Sequence, residues 1–183
     1  MYYKNLALTL MTMLLPGMTY AESSSNYIGA QIAKFDSKYS SAEFDGGMMS
    51  LGYDLNNYIA LEAAAGASQS YEEPVTGNTA QIDYVASAFL RFNVRFNRVT
   101  LYALGGYSRV GSTATSGSVS ITDTNSGVSY GFGIDFYGTR DLALSIRRVE
   151  LFDEEKKSGK SQLGASMVGI TYYFDTPKIH SRY

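Results

Sequence analysis

Four charged residues lie among small and polar side chains, where an unpaired charge would be unfavourable. They are two acids and two arginines, Glu62, Arg91, Asp135 and Arg147. Counting back from the turns that flank their segments, we expect Glu62 near Arg91, and Asp135 near Arg147. Unpaired buried charge is costly, so these residues are predicted to form structural ion pairs that plug a narrow interior. The alternative is a gated pore, in which exchanged partners open a path.

The sequence lacks the residue types and spacings that catalysis, metal binding or cofactor binding would require. The only histidine, His180, lies near the C-terminus, and loop Ser and Asp residues lack a base to activate them. The chain has no cysteine, so neither disulfides nor thiolate metal sites can form. No spacing indicates a metal-ligand cluster or a phosphate-binding glycine loop. We therefore predict no catalytic residue, no metal and no cofactor.

The N-terminus has the pattern of a secretory signal peptide over residues 1–21. Lys4 supplies the positive charge, residues 6–15 are apolar but too short to span a bilayer as a helix, and Thr19 and Ala21 fit a cleavage site. Cleavage after Ala21 would leave about 160 residues, the length of one domain. Loss of Lys4 would change the formal charge from −2 to −3, which argues against a nucleic-acid partner.

The charged residues lie on segments whose apolar and polar side chains alternate, which is the period of a β-strand. In the last segment, Val168, Ile170, Tyr172 and Phe174 share one face. The sequence predicts eight strands near residues 27–35, 47–53, 58–70, 81–93, 99–109, 128–137, from 142 onward, and 164–174. Residues 111–126 show no apolar period and are predicted to form a loop. In the seventh strand the period slips, so we expect a β-bulge near Arg147 and Arg148, or a membrane boundary there.

The eight strands predict a barrel that is apolar outside and polar inside. Connections alternate between long and short, and aromatic residues collect at both ends of the strands, as in outer-membrane barrels. In lipid, an unpaired strand edge would leave unsatisfied amides, so the eighth strand must pair with the first. The fold class is therefore all-β, an eight-stranded antiparallel up-and-down transmembrane β-barrel over residues 22–174, followed by a short periplasmic tail, residues 175–183.

The succession of motifs resembles the eight-stranded family of outer-membrane proteins A and X. The motifs are YIGAQIAKF, LGYDLNNYIALE, LYALGGYSRV, GVSYGFGIDF and TRDLALSIRRVEL, followed by the closing strand GASMVGITYYF. The resemblance implies that Tyr172 and Phe174 belong to the closing-strand signal read by the barrel-insertion machinery. It also implies a bacterial outer-membrane location. The chain departs from the family pattern by continuing past Phe174 as DTPKIHSRY, too short for a peptidoglycan-binding domain.

Three functions remain compatible with this resemblance. The favoured one is a monomeric structural or surface-binding barrel in contact with outer-membrane lipid and lipopolysaccharide. Its extracellular loops would bind a host or cell-surface ligand. The candidate contacts are Lys38, Tyr39, Tyr71, Glu72, Glu73, Lys156 and Lys157. The alternatives are a small or gated pore and a lipid A-modifying enzyme. A soluble lipocalin-type barrel is disfavoured, because lipocalins usually carry a Gly-x-Trp motif and this chain has no Trp.

Overall fold

A computed structural model describes residues 26–37, 43–72, 78–117, 119–156 and 159–174. Over these ranges the chain forms β-strands that each run antiparallel to their neighbours. Their bounds are β1 (Asn26–Ser37), β2 (Glu43–Asp54), β3 (Ile59–Ser68), β4 (Tyr71–Glu72), β5 (Thr79–Phe96), β6 (Val99–Ser116), β7 (Val119–Tyr137), β8 (Leu142–Lys156) and β9 (Gly159–Tyr173). The predicted signal peptide and the predicted tail lie outside the described residues.

The sheet closes on itself. β1 pairs with β2 on one side and with β9 on the other, and β3 pairs with β5. β4 is a two-residue strand that adds to the end of β5, so the ring contains eight long strands. Closure leaves the wall without an open edge, and every strand within it can satisfy its backbone amides, as lipid requires. The prediction of an all-β, eight-stranded antiparallel barrel is confirmed.

Residues 111–126 differ from their predicted conformation. They are not a loop, because β6 and β7 remain paired in continuous register up to Ser116 opposite Val119. The turn between them contains Gly117, whose φ of 59° suits glycine. Apolar alternation missed this hairpin because Thr and Ser hydroxyls, rather than apolar side chains, face one another across it. Thr113 lies 3.1 Å from Thr122, and Thr115 lies 3.2 Å from Ser120.

The predicted bulge is also displaced along the chain. The register between β8 and β9 shifts between Glu150 and Phe152, not near Arg147 and Arg148. Arg148 keeps the outward side of β8 and is neutralised there by its neighbours. Both of its terminal nitrogens contact the carboxylate of Asp36, and its Nε donates to Glu150 at 3.1 Å. The paired acids remove the reason for a bulge at Arg148, because they compensate its charge on the outer wall.

Short turns of the predicted kind join the strands at one end of the barrel. Residues 55–58 connect β2 to β3, residues 97–98 connect β5 to β6, and residues 138–141 connect β7 to β8. In the first turn, the Asn56 side chain accepts hydrogen bonds from the amides of Tyr58 and Ile59 at 2.8 and 2.9 Å. An Asn side chain that binds nearby backbone in this way stabilises a tight turn.

The outer wall is apolar, and along each strand the outward-facing residues alternate with inward-facing, buried ones. Exposed Ile32 is 71% accessible, whereas its neighbour Ala33 is 4% accessible. The outward set continues around the barrel with Met49, Leu51, Tyr58, Leu61, Leu90, Phe92, Leu101, Phe132, Leu144, Ile146, Ile170 and Tyr172. An exposed belt of this composition around a closed sheet is what a bilayer would cover. No helix among the described residues is long and apolar enough to cross a membrane.

Candidate functional site

The four charged residues singled out from the sequence meet inside the barrel. Glu62 projects from β3, Arg91 from β5, Asp135 from β7 and Arg147 from β8, and each is at most 5% exposed. The alternation of each strand brings them to the same side of the wall, because inward positions recur every second residue. Two positive and two negative charges therefore occupy one level of the lumen.

The ion pairs join these residues in a different order from the one predicted. Arg147 Nη1 lies 2.5 Å from Glu62 Oε1, and Arg91 Nη2 lies 2.6 Å from Asp135 Oδ2. Arg91 Nη1 also lies 3.7 Å from Glu62 Oε2. Glu62 and Arg91 are therefore close together as predicted, although their contact is longer than the other two. The expected partner of Asp135 is wrong, since Arg91 rather than Arg147 contacts it.

The register explains this correction. Asp135 lies opposite Ser145 on β8, and Arg147 lies opposite Gly133, one step further into the barrel. The prediction considered only neighbouring strands. In a narrow barrel, long arginine side chains reach across the interior, so Arg91 crosses from β5 to β7 and Arg147 from β8 to β3.

Uncharged groups complete the hydrogen bonding of both carboxylates. Tyr27 donates its hydroxyl to Glu62 Oε2 at 2.7 Å, while Tyr173 and Ser145 donate theirs to Asp135 at 2.9 and 2.5 Å. Arg147 Nη2 donates to the hydroxyl of Ser50 at 3.0 Å. Each carboxylate oxygen thus has a donor, which is the condition under which buried charge is tolerated.

Aromatic rings hold the guanidinium of Arg91 from two sides. Its Cζ lies 3.7 Å from the ring centre of Tyr102 and 5.1 Å from that of Tyr27, within the range of a cation–π interaction. Glycines make room for both rings, because a Cβ at Gly52 would overlap Tyr27 and one at Gly133 would overlap Tyr102. Sequence reasoning missed this role of the tyrosines. The signal was their inward parity together with glycine on an adjacent strand.

An apolar cluster fills the lumen beyond the charges, toward the end of the barrel away from the short turns. Phe35 and Leu151 are fully buried in it, and Val85 and Val149 are 1% exposed. Its other buried members are Ala33, Met48, Ala64, Ile82, Phe89, Tyr102, Leu104, Val110, Leu163, Ala165 and Met167. The sequence-based description of the interior as charged pairs alone was therefore incomplete. The lumen contains a charged layer and, next to it, a packed apolar layer.

The described part of the closing segment pairs with the start of the barrel. The Phe174 amide donates to the Asn26 carbonyl at 2.8 Å, and the rings of Tyr172 and Phe174 pack edge to face with centroids 5.2 Å apart. Both rings face outward from the wall. Their predicted part in insertion remains a prediction.

The candidate surface contacts are only partly described. Tyr71 is exposed and its ring packs against that of Phe44, with centroids 6.0 Å apart. Lys38, Tyr39, Glu73, Lys157 and His180 lie outside the described residues, as do the side chains of Glu72 and Lys156. In the part of the chain that the structure covers, no group of three His, Cys, Asp or Glu side chains could hold a metal ion.

A closed antiparallel barrel with an apolar outer wall and paired charges inside is the architecture of a transmembrane β-barrel. The sequence matches the family described as outer membrane protein beta-barrel domain over residues 7–174, and the chain belongs to this family. The predicted likeness to the barrels of outer-membrane proteins A and X is confirmed, as is a location in the bacterial outer membrane.

Solved structures of outer-membrane barrels share this fold. Neisserial surface protein A aligns with a TM-score of 0.62 at 18% identity, covering 82% of this chain and 97% of that one. OprG of Pseudomonas aeruginosa aligns at 0.61 and 11% identity, covering 83% and 96%. Ail of Yersinia pestis, solved in complex with the heparin analogue sucrose octasulfate, aligns at 0.58 and 20% identity, covering 82% and 97%. A comparison with curated proteins gives no match.

Proposed function

We propose that this barrel is a surface-binding protein with a closed lumen, and that its extracellular end contacts molecules outside the cell. The observation that carries the proposal is the β6–β7 hairpin. β7 pairs with β6 along its whole length, but with β8 only from Tyr130 onward. Residues 119–129 and their partners on β6 thus continue past the ring of eight strands. A hydrogen-bonded sheet that extends from the membrane is a suitable platform for contact with a partner.

The contents of the lumen support a role that does not depend on transport. The ion pairs between Glu62 and Arg147, and between Arg91 and Asp135, leave no unpaired charge among these four residues. Above them, Phe35 and Leu151 pack without exposure. An ion crossing the barrel would have to separate two buried pairs and open an apolar layer. We therefore propose a structural plug, and expect no single-channel conductance when the purified protein is inserted into planar bilayers.

The same reasoning favours binding over catalysis. The four charged side chains of the lumen are engaged in the plug, and two of the structural relatives are an attachment invasion locus protein and a surface protein. We propose that the chain acts as a monomer surrounded by outer-membrane lipid and lipopolysaccharide. Unchanged lipid A mass spectra from cells with and without the protein would agree with this, and a new lipid A species would contradict it.

The surface-binding role is tested by shortening the hairpin. Replacing residues 113–122 with Asn-Gly closes it at the Ser112–Asp123 pair, which, like the native closing pair Ser116–Val119, is a hydrogen-bonded pair of the ladder. Bacteria that display this variant should lose adherence to cultured host cells, while heat-modifiable gel migration shows that the barrel still folds. Deletion of residues 175–183, the predicted periplasmic tail, is the matched control and should not alter adherence. Equal adherence of wild-type and shortened-hairpin cells would contradict the proposal.

A sulfated polysaccharide is a useful ligand to include, because the relative Ail was solved with a heparin analogue. The described residues at the extracellular end do not form a positively charged patch that would favour such a ligand. Lys34 is exposed but is paired with Glu43, and the whole chain is formally negative. We therefore expect the hairpin variant to change adherence to cells more than binding to immobilised heparin.

A further inference from the structure

A groove in the outer wall, named here the seam groove, crosses the pairing of β1 with β9 that closes the barrel. It includes Ile32 on β1 and Val168 on β9, extends over β8 and β7 to Leu101 on β6, and has a volume of about 940 Å³. Ligand pockets have volumes of about 300–1,000 Å³. A convex wall touches a bilayer lipid on one side only, whereas a groove of this size contacts one lipid molecule on more than one side.

The lower row of side chains in the seam groove, nearer the short turns, is apolar. It follows the strand register from β1 to β6, and its members are Ile32, Val168, Ile146, Ile134 and Leu101. These residues face outward and belong to the belt that a bilayer would cover. The lower row is therefore suited to contact with acyl chains.

The upper row, two residues further along each strand, is polar from β2 to β8. Asp45 lies opposite Lys34, Lys34 opposite Ser166, and Ser166 opposite Arg148. All four residues line the seam groove. A charged side chain on the lipid face of a barrel is costly near the middle of the bilayer and tolerated near its surface. The change from the lower row to the upper row thus marks the boundary between acyl chains and headgroups on this side of the barrel.

The outward charges around the upper row have both signs, with carboxylates in excess. Two cations stand among four acids, which gives a formal charge of 2 − 4 = −2, and they are Lys34, Arg148, Asp36, Glu43, Asp45 and Glu150. Arg148 is held between two of the acids and also donates to the Ser166 hydroxyl at 2.9 Å. Lys34 pairs with Glu43 at 2.5 Å, but its side chain is 55% exposed and its ammonium has three donors.

This charge pattern discriminates among lipid headgroups. A headgroup that carries only phosphate can bind Lys34 but meets a surplus of negative charge around it. A phosphoethanolamine headgroup carries a phosphate, which Lys34 can bind, and an ammonium, which Asp45 on the neighbouring strand can bind. Complementary charges on both sides favour this partner over one of a single sign.

We propose that the seam groove binds one diacyl phospholipid with a phosphoethanolamine headgroup. Its acyl chains lie on the lower row, its phosphate contacts Lys34, and its ammonium contacts Asp45. The upper row lies toward the end of the barrel away from the short turns, so this lipid belongs to the outer leaflet of the membrane. The inference goes beyond the surface-binding role and does not depend on it, because the seam groove lies on the barrel wall and not on the protruding part of the β6–β7 hairpin.

The first experiment uses tryptophan as a reporter, because the chain has none. Phe132→Trp places the reporter in the seam groove, and Phe92→Trp places the control reporter on the outer face of β5, outside the groove. Each full-length variant is reconstituted into phosphatidylcholine vesicles that contain brominated phosphatidylethanolamine or brominated phosphatidylglycerol with the same acyl chains. Quenching of the tryptophan against the fraction of brominated lipid gives the relative affinity at each reporter.

We expect phosphatidylethanolamine to bind at Phe132→Trp about threefold more tightly than phosphatidylglycerol, the effect of one exposed ion pair. At Phe92→Trp the two lipids should quench equally. Equal affinities of the two lipids at Phe132→Trp, or the same preference at both reporters, would overturn the proposal. Tighter binding of phosphatidylglycerol at Phe132→Trp would also overturn it, because the headgroup would then be anionic.

Three further variants, each added to Phe132→Trp, test the headgroup contacts. Asp45→Asn should remove the preference for phosphatidylethanolamine, whereas Lys34→Gln should weaken the binding of both lipids because both carry phosphate. Arg109→Gln is the matched control, since Arg109 is exposed on β6 but does not line the seam groove. It should change neither affinity. An unchanged preference in Asp45→Asn would overturn the assignment of the ammonium to this carboxylate.

A competition experiment separates this lipid from lipopolysaccharide. Unbrominated phosphatidylethanolamine should restore the fluorescence of Phe132→Trp, and lipopolysaccharide at the same mole fraction should restore less of it. The reverse order would overturn the proposal and assign the seam groove to lipopolysaccharide. Asp45→Asn cells should adhere like wild-type cells, because the hairpin is intact. Loss of lipid preference with normal adherence therefore distinguishes this site from the surface-binding role, which the shortened hairpin tests.

Discussion

Arg147 and Glu62 are joined across the lumen, from β8 to β3, by a 2.5 Å hydrogen bond between Nη1 and Oε1. The bond ties together strands that are far apart in the ring of pairings. A second cross-lumen bond runs from Arg91 to Asp135. Arg91 also approaches Glu62, and this contact connects the two bridges. The four side chains therefore form one network.

Removal of one acid should therefore destabilise the barrel. Glu62→Ala removes the carboxylate that pairs with Arg147 and that accepts the hydrogen bond from the Tyr27 hydroxyl. Breaking a buried pair from one side costs about 3–5 kcal/mol, so the urea midpoint of unfolding in micelles, followed by gel mobility, should fall clearly. Glu43→Ala is the control, because its pair with Lys34 is solvent-exposed and screened. Equal midpoints for the two variants would show that the lumen pair is not stabilising.

The aromatic partner of Arg91 gives a second prediction. Tyr102→Leu removes the ring that lies 3.7 Å from the guanidinium carbon and should lower the free energy of unfolding by about 1–2 kcal/mol beyond the loss of apolar contact. Tyr102→Phe keeps the ring and loses only the hydroxyl contact with Ser145, so its loss should be smaller, near 1 kcal/mol. Chemical unfolding of both variants measures the difference. A larger loss for Phe than for Leu would show that the hydroxyl, not the ring, matters.

The strand period explains why the fold was predictable from the sequence and part of the site was not. Alternation identified the inward positions of Glu62, Arg91, Asp135 and Arg147 without any knowledge of the register. The partners depend on how far a side chain reaches across the lumen, and that follows from the barrel's width. The prediction paired Asp135 with the adjacent strand, whereas Arg91 reaches it from two strands away.

The β6–β7 hairpin shows the limit of apolar patterns. Residues 111–116 and 119–126 are paired by backbone hydrogen bonds and by hydroxyl contacts such as Thr113 with Thr122. Neither kind of contact requires apolar side chains at every second residue. A search for apolar alternation therefore identifies only the part of a strand that touches lipid or the lumen. The same limit explains why most of the other strands also extend beyond their predicted ends.

The glycines that accommodate the tyrosines give a third prediction. A Cβ at Gly133 would lie 2.5 Å from the Tyr102 ring and 2.8 Å from Arg147 Cβ. Gly133→Ala should therefore displace both and destabilise the barrel by about 1–3 kcal/mol. Gly105→Ala is the matched control, because nothing lies within 4 Å of its Cβ position. It should be neutral or slightly stabilising, since alanine restricts the unfolded chain. Comparable losses for both glycines in urea unfolding would contradict the packing argument.

The closing strand gives the last prediction, which separates assembly from stability. Phe174 is 56% exposed on the outer wall, so its ring contributes little to packing inside the barrel, although its backbone amide pairs with Asn26. Phe174→Ala should slow conversion to the heat-modifiable form in pulse-labelled cells, because the closing-strand signal predicted from the sequence includes this ring. Tyr53→Ala removes another outward aromatic, 44% exposed and near the short-turn end, and serves as the control. Both substitutions remove lipid-facing aromatic area, and their unfolding midpoints in micelles should therefore fall by similar amounts. Slow assembly of Phe174→Ala alone would assign the ring to recognition by the insertion machinery, whereas equal assembly rates would leave it only a membrane contact.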